Sequence, residues 1–441
     1  MILNYLFIIF ITMELATEIS CKPDAFLQIY DILKKNADHN GIPVFDKEKW
    51  AFIVDTYNKK NVIEVLAHYI INEKPFFPLR PITYDMMKNS FTALKTRDII
   101  DLKVVHQNSH DIKLKYDYDC TNNPCLYMIQ LGHEYNDASS FFQQENRLRC
   151  NSYGYKGPLN AWVDLSELIK MNWTFWRPSM IGKNGIRDKD YRSSMRVSGY
   201  VATQFKPHVA KCIYLMNNAE RILDTSCGWG DRLAAFYCTD SAKVYHGCDP
   251  NEDVYEEYKN QCFEYEKLLG VDFNDIEYYE DFIIVGQKEI RFFECTGKKT
   301  VRIYNGCAED LILSEKDDFD LLFTSPPYFK TERYNEGGNG EDLQSWKRYD
   351  TFEKWRDKFL FKMIQNVGIC LRKGGKIMLN IVDPQIKTKR YKVCDDMVQF
   401  VCGLGFNYDG WILQRMKGGP AKKGLCGQNW YGEPIFSFTK V

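Results

Sequence analysis

Four polar segments, each marked by glycine or proline, hold the side chains of this sequence that could do chemistry. The first is Asp224-Thr-Ser-Cys-Gly228-Trp-Gly230-Asp231-Arg232. Gly228 and Gly230 permit a tight turn and close backbone approach by a ligand. A helix from Arg232 to Phe236 would offer free N–H groups at its start. The second is His246-Gly-Cys-Asp249-Pro-Asn251. An acid there suits ribose hydroxyls, although it could instead cap a helix from Glu252 to Tyr258. The third is Gly306-Cys-Ala-Glu309-Asp310, where an acid could meet an adenine amino group or cap a helix. The fourth is Phe323-Thr-Ser325-Pro326-Pro327-Tyr328-Phe329. Its prolines fix the backbone and leave carbonyls without local partners. Ser325 adds a hydroxyl and Tyr328 a ring. The set suits a planar group bearing an amine, with oxygens accepting its N–H groups and a ring stacked on its face.

Each segment follows a short apolar run: Arg221 to Asp224, Val244 to Asp249, Val301 to Asn305, and Phe319 to Thr324. A fifth run, Lys376 to Val382, follows an amphipathic helix expected from about Phe352 to Leu371. Trp411 to Met416 and Ile435 to Thr439 form a final pair. Strands alternating with helices predict an α/β fold: a Rossmann-like, doubly wound, mostly parallel sheet of seven strands with an antiparallel hairpin at its C-terminal edge. Ligands in such sheets bind beyond the carboxyl ends of the strands, where the four segments fall. Up to about Arg187 the pattern is α+β, with helices expected at Phe26 to Lys35, Lys60 to Asn72, Asp85 to Leu94 and Ala138 to Arg149. Trp173 and Trp176 precede a Gly-, Lys- and Arg-rich stretch. Two domains are expected, 1–187 and 188–441, with an extra helix or hairpin within Asp253 to Lys299.

Asp224 to Gly230, Asp249 and Ser325-Pro326-Pro327-Tyr328 resemble the motifs of the S-adenosylmethionine-dependent amino methyltransferases that modify exocyclic amines of DNA bases. The Ser-Pro-Pro-Tyr form is similar to the N4-cytosine enzymes; N6-adenine enzymes more often carry Asp or Asn at its first place. Ala202-Thr203-Gln-Phe205-Lys206-Pro207 resembles the family's Thr-Gln-Lys-Pro element, with Phe205 extra. Leu371 to Lys376 and Gly432-Glu433-Pro434-Ile435 look like the entry to its fifth strand and its last strand. Trp229 stands where a small residue is usual. The resemblance runs from about Ser198 to Lys440. The whole is also similar to methyltransferases of large DNA viruses and phages.

The resemblance implies S-adenosylmethionine as cofactor, held by Thr203, Lys206, Asp224, Ser226, Gly228, Gly230, Asp249 and Glu309. It implies methyl transfer to cytosine N4 or adenine N6 of DNA at Ser325, Pro326, Pro327 and Tyr328, on a base flipped from the stack. Tyr328 and Phe329 would stack on that base. Methylation of an RNA base, of a protein glutamine amine, or a cofactor-binding partner subunit without activity are the rival readings. The 1–187 segment is then a candidate for target recognition.

The chain has 441 residues, 45 % apolar and 27 % charged, with a net charge of −1. That balance excludes a disordered chain, a collagen-like fibre and a coiled-coil rod. No stretch approaches the ~20 apolar residues that span a bilayer. Fifteen cysteines show no repeating frame. Cys212, Cys370 and Cys402 read as small buried hydrophobes, and a reducing, intracellular setting follows. Cys120 and Cys125, with His110 and Cys150, give only a weak zinc pattern, and no metal is expected. The apolar residues 1–12 read as an over-extended start rather than an export signal. Two basic stretches could track phosphates beside the pocket. Ile181 to Lys211 holds seven Lys or Arg against two Asp; Leu413 to Gly424 holds Arg415, Lys417, Lys422 and Lys423 and no acid.

Overall fold

The computed structural model describes residues 21–97, 105–107, 125–128, 135–175, 185–314, 318–416 and 431–441. Residues 1–12, His110, Cys120, Trp176, Lys183, Lys417, Lys422 and Lys423 lie outside them, and at Cys125 and Arg415 only the backbone is described. The chain packs as two compact units, 1–81 with 147–202, and 82–146 with 203–441.

The first unit is built on helices. Phe26, Ile29 and Leu33 fall on one face of helix Pro23–Lys35 and are buried. Helix Lys59–Glu73 buries eight successive-turn positions from Val62 to Ile70, so it forms the centre of this core. Asp46 starts helix Lys47–Tyr57 by accepting the Lys49 N–H at 2.8 Å. Trp162 and Tyr191 bury large rings yet satisfy their polar atoms, on the carbonyls of Pro75 (2.7 Å) and Pro43 (2.8 Å). Among the described residues this unit holds helices and isolated bridges, such as Phe45 with Ile186, and no extended strand. Over 1–187 as a whole the described residues combine these helices with two strands, Val105–Gln107 and Cys125–Met128. The described residues between 82 and 146 belong to the second unit. Helix Tyr84–Thr96, for instance, ends on the buried Lys211 ammonium, which donates to the carbonyls of Leu94, Lys95 and Arg97.

The second unit carries the sheet. Its strands, numbered along the chain, are β1 (Val105–Gln107), β2 (Cys125–Met128), β3 (Arg221–Asp224), β4 (Val244–Asp249), β5 (Glu277–Val285), β6 (Lys288–Thr296), β7 (Thr300–Asn305), β8 (Phe319–Thr324), β9 (Leu371–Asn380), β10 (Gln385–Ile386), β11 (Lys389–Arg390), β12 (Phe406–Met416) and β13 (Tyr431–Lys440). Eleven of them form one sheet in the order β1-β2-β12-β13-β9-β8-β3-β4-β7-β6-β5. Within it β7, β4, β3, β8 and β9 run parallel, and β13 pairs antiparallel with both β9 and β12. This is the expected α/β, doubly wound sheet. All six residues of β8 are buried, as a parallel strand covered on both faces requires.

The sheet is wider than the seven expected strands. β5 and β6 form a hairpin added antiparallel to β7, and with helix Glu252–Leu268 they account for the long Asp253 to Lys299 segment. At the other side β12 pairs parallel with β2, so the C-terminal hairpin is antiparallel but does not lie at the edge. The helix expected over Phe352 to Leu371 ends at Gly368, because Leu371 already belongs to β9. It contains a π-helical turn, Trp355–Leu360, between α-helical segments. Cys212 and Cys370 are buried, but Cys402 is exposed, on the solvent side of helix Cys394–Gly403.

Candidate functional site

The order of strands reverses at β3, between β4 and β8. The loops that follow β3, β4, β7 and β8 meet there and enclose a cavity of about 320 Å³. Clefts for small ligands usually lie at such a switch point.

The loop after β3 is fixed from both ends. Gly228 and Gly230 take left-handed conformations, φ 61° and 73°. At Gly230 a Cβ would lie 2.2 Å from Gln261 Oε1, so this glycine serves close packing and does not face the cavity. At Gly228 no atom would come closer than 3.8 Å, and its backbone lines the cavity. The Gly228 N–H donates to Asp249 Oδ2 at 2.9 Å, and Tyr258 Oη donates to the Gly228 carbonyl at 2.5 Å.

Asp249 lines the cavity at the end of β4. Its Oδ1 accepts the Asn251 N–H at 3.0 Å. Burial pushes its pKa up to about 6, against the lowering effect of those N–H groups. The alternative role of helix cap falls to Asn251, whose side chain accepts the Asp253 N–H at 3.1 Å. Glu309 also lines the cavity. Its carboxylate accepts from Arg348 and, at 2.8 Å, from Tyr349 Oη; burial raises its pKa.

Besides Gly230, two expected cofactor ligands do not face the cavity. Asp224 is fully buried and clasped by Arg232, Nε to Oδ2 at 2.7 Å, and Tyr245 Oη donates to the same oxygen at 2.6 Å. Arg232 also donates to the Ser226 carbonyl. Asp224 is thus engaged in holding the loop and lies outside the cavity lining. Lys206 is buried at the start of helix Pro207–Met216 and is absent from the lining. Thr203 and Ser226 do line it, and the Thr203 carbonyl accepts Trp229 Nε1 at 3.0 Å. The extra Phe205 also lines the cavity, with its ring 5.2 Å from the Arg232 guanidinium and 5.7 Å from the Phe323 ring.

Of the loop after β8, Ser325, Pro327 and Tyr328 line the cavity and Pro326 does not. Ser325 Oγ donates to Asn380 Oδ1 at 3.3 Å, and Asn380 is held by its Nδ2 on the Pro434 carbonyl at 3.0 Å. Tyr328 Oη lies 3.4 Å from the Asn380 carbonyl and 3.5 Å from Glu433 Oε2. Phe329 turns away. Its ring packs against Phe352 (5.7 Å), Trp355 (5.9 Å) and Tyr391 (5.4 Å), so it belongs to the core and not to a base-stacking surface.

The cavity also holds acids that the motif reading missed. Glu332 clamps the loop, accepting the Tyr328 N–H at 3.0 Å and Tyr334 Oη at 3.1 Å. Glu433 faces the cavity from β13, with its pKa pushed up to about 7 by burial and by Glu332. Gln414, its cross-strand partner on β12, lines the cavity with a buried Oε1 that has no hydrogen-bond partner among the described residues. The available sequence signal was an amide after the apolar run Trp411-Ile412-Leu413 and an acid just before the run that begins at Ile435.

The basic stretch Ile181 to Lys211 is no continuous phosphate track. Lys206 and Lys211 are buried, and Arg192 is engaged by Asp188 at 2.8 Å. No helix of the described residues is long and apolar enough to cross a membrane.

No family model matches the chain, and no curated protein matches it. Solved structures to which it is similar include a TehB-like S-adenosylmethionine-dependent methyltransferase from Corynebacterium glutamicum, at 15 % identity over 57 % of this chain and 95 % of that one, TM-score 0.29. The YcgJ protein of Bacillus subtilis is similar at 12 % identity over 53 % of this chain and 98 % of that one, TM-score 0.30. The [4+2]-cyclase SpnF is similar at 11 % identity over 53 % and 80 %, TM-score 0.31.

Proposed function

We propose that the chain transfers the methyl group of S-adenosylmethionine to an exocyclic amine of a DNA base, cytosine N4 or adenine N6. The observation that carries this reading is one cavity that unites the Gly228 backbone and the Asp249 carboxylate with the Ser325 hydroxyl and the Tyr328 ring. The cofactor, when bound, supplies a methyl group made electrophilic by a sulfonium. The residues present fit it: Asp249 has lone pairs left for ribose hydroxyls, and Gly228 allows close backbone approach. Thr203 and Ser226 are the further cofactor contacts that the sequence motifs suggest.

The acceptor amine is a poor nucleophile while its lone pair is delocalised into the ring. Ser325 Oγ, which lines the cavity, would accept one of its hydrogens and draw it toward tetrahedral geometry. Tyr328 would hold the base by its face. Most of the acceleration then comes from orienting two bound reactants. A base inside a duplex must be flipped out to reach this cavity.

Labelled S-adenosylmethionine, offered with duplex DNA and separately with RNA and followed by nucleoside analysis, tests the reading. Label in N4-methylcytosine or N6-methyladenine of DNA supports it. Label confined to RNA or to protein overturns it.

A further inference from the structure

Two lining residues, Glu433 and Gln414, add groups that accept hydrogen to the cavity. Glu433 on β13 and Gln414 on β12 are paired across the strands. Both line the cavity, and Gln414 Oε1 is buried there without a partner among the described residues. A buried acceptor left unpaired is costly, and a bound N–H group would relieve it. Glu433 Oε2 is 3.5 Å from the hydroxyl of Tyr328, whose ring is proposed above to hold the base. Glu332 differs in kind: both its oxygens are already engaged by Tyr328 N–H and Tyr334 Oη, so it shapes the loop.

We propose that Glu433 is a further catalytic residue of this site, taking the proton of the methylated amine, while Gln414 accepts a second N–H of the acceptor base. The assignment rests on the methyl-transfer reading above. In the step, the amine lone pair forms the new N–C bond. The S–C bonding pair returns to sulfur, which becomes a neutral thioether. The positive charge passes to nitrogen, and one N–H proton moves to the Glu433 carboxylate, directly or by exchange through Tyr328 Oη. An anion beside that nitrogen stabilises the charge as it arrives. No co-reactant beyond the two substrates is required.

Glu433 must be ionised to act. The titratable groups that face it are Glu332 and Tyr328 from the loop after β8; Asn380 at the end of β9 and Gln414 on β12 are its polar neighbours. Burial and Glu332 hold its pKa at about 7. Methyl transfer therefore rises with pH through neutrality.

The test is single-turnover transfer from labelled S-adenosylmethionine to duplex DNA of mixed sequence, from about pH 5 to 9, with cofactor binding measured alongside. Expected are a rise through about pH 7 in the native chain, and in Glu433→Gln a rate lower by about 10²-fold with that rise abolished. Cofactor affinity stays unchanged, and Glu433→Asp restores part of the rise. A native rate that is flat across neutrality, or a Glu433→Gln profile that matches the native one, overturns the assignment and leaves the methyltransferase reading standing. A native chain that labels no nucleobase removes that reading, and the assignment falls with it.

Discussion

Arg232 and Asp224 form a fully buried ion pair, with side chains 4 % and 0 % exposed and Nε 2.7 Å from Oδ2. The pair ties the last residue of β3 to the first turn of helix Asp231–Tyr237, so it sets the shape of the loop between them.

Removing one partner of that pair strands the other as a buried charge. Asp224→Ala is expected to lose about 3–5 kcal/mol of stability, measured by urea denaturation. Cofactor affinity per folded molecule should stay near native. A variant of native stability that no longer binds cofactor would make Asp224 a ligand instead.

The two glycines of the loop should separate in the same way. Gly230→Ala drives a Cβ onto the Gln261 amide and demands φ 73°, so the fold itself suffers. Gly228→Ala meets open space and carries only the left-handed backbone cost of about 1–2 kcal/mol. It places a methyl group on the cavity wall, and its main effect should be on cofactor affinity. Thermal melts and cofactor titrations of the two variants check the contrast.

Asp249 gives the cofactor a pH dependence. Its carboxylate gains its proton at about 6, above the ordinary value, because burial opposes the charge. Ribose hydroxyls donate best to the ionised form. Affinity should therefore hold above about pH 6 and fall by up to about tenfold per unit below it, in calorimetric titrations. Asp249→Asn should weaken binding and flatten that dependence.

Ser325→Ala and Tyr328→Ala act on the acceptor side of the cavity. Each is expected to lower single-turnover transfer by about 10²-fold, with cofactor affinity within about twofold of native. Loss of cofactor binding in both would move these residues to the other half of the site.

Much of the frame was legible in the chain. β3, β4 and β8 begin and end where short apolar runs do, since a strand covered on both faces has little choice of composition. Gly228, Asp249, Ser325 and Tyr328 were legible because their types follow strand ends at fixed places. Pairings between distant segments were not. Nothing local says that Arg232 will occupy Asp224, or that Phe329 will join Phe352, Trp355 and Tyr391. Helices Lys47–Tyr57, Leu165–Thr174 and Asp188–Ser198 were not anticipated; in the last two the buried positions mix polar with apolar residues, Asn172 and Thr174 with Leu168 and Met171, Asp190 and Ser194 with Tyr191 and Met195, so their spacing does not read as an apolar stripe. The assignment of the described residues between 82 and 146 to the second unit depends on strand pairing and on Lys211, both long-range. Gln414 and Glu433 acquire meaning only through the register that sets them side by side.

The π-helical turn Trp355–Leu360 acts as a phase shift. Such a turn holds one residue more than its α-helical equivalent, so it offsets the wheel positions before it from those after it by about 100°. Phe352, ahead of the turn, and Trp355, its first residue, meet Phe329, which follows the Ser325–Tyr328 loop; Met363, Ile364 and Val367, after it, pack in the same core. Losing a single residue there would let the helix run true and swing those rings off Phe329. The loop's backing is thus set by how many residues the turn contains as well as by which ones, and chain length at this point is as constrained as chemistry is at Ser325.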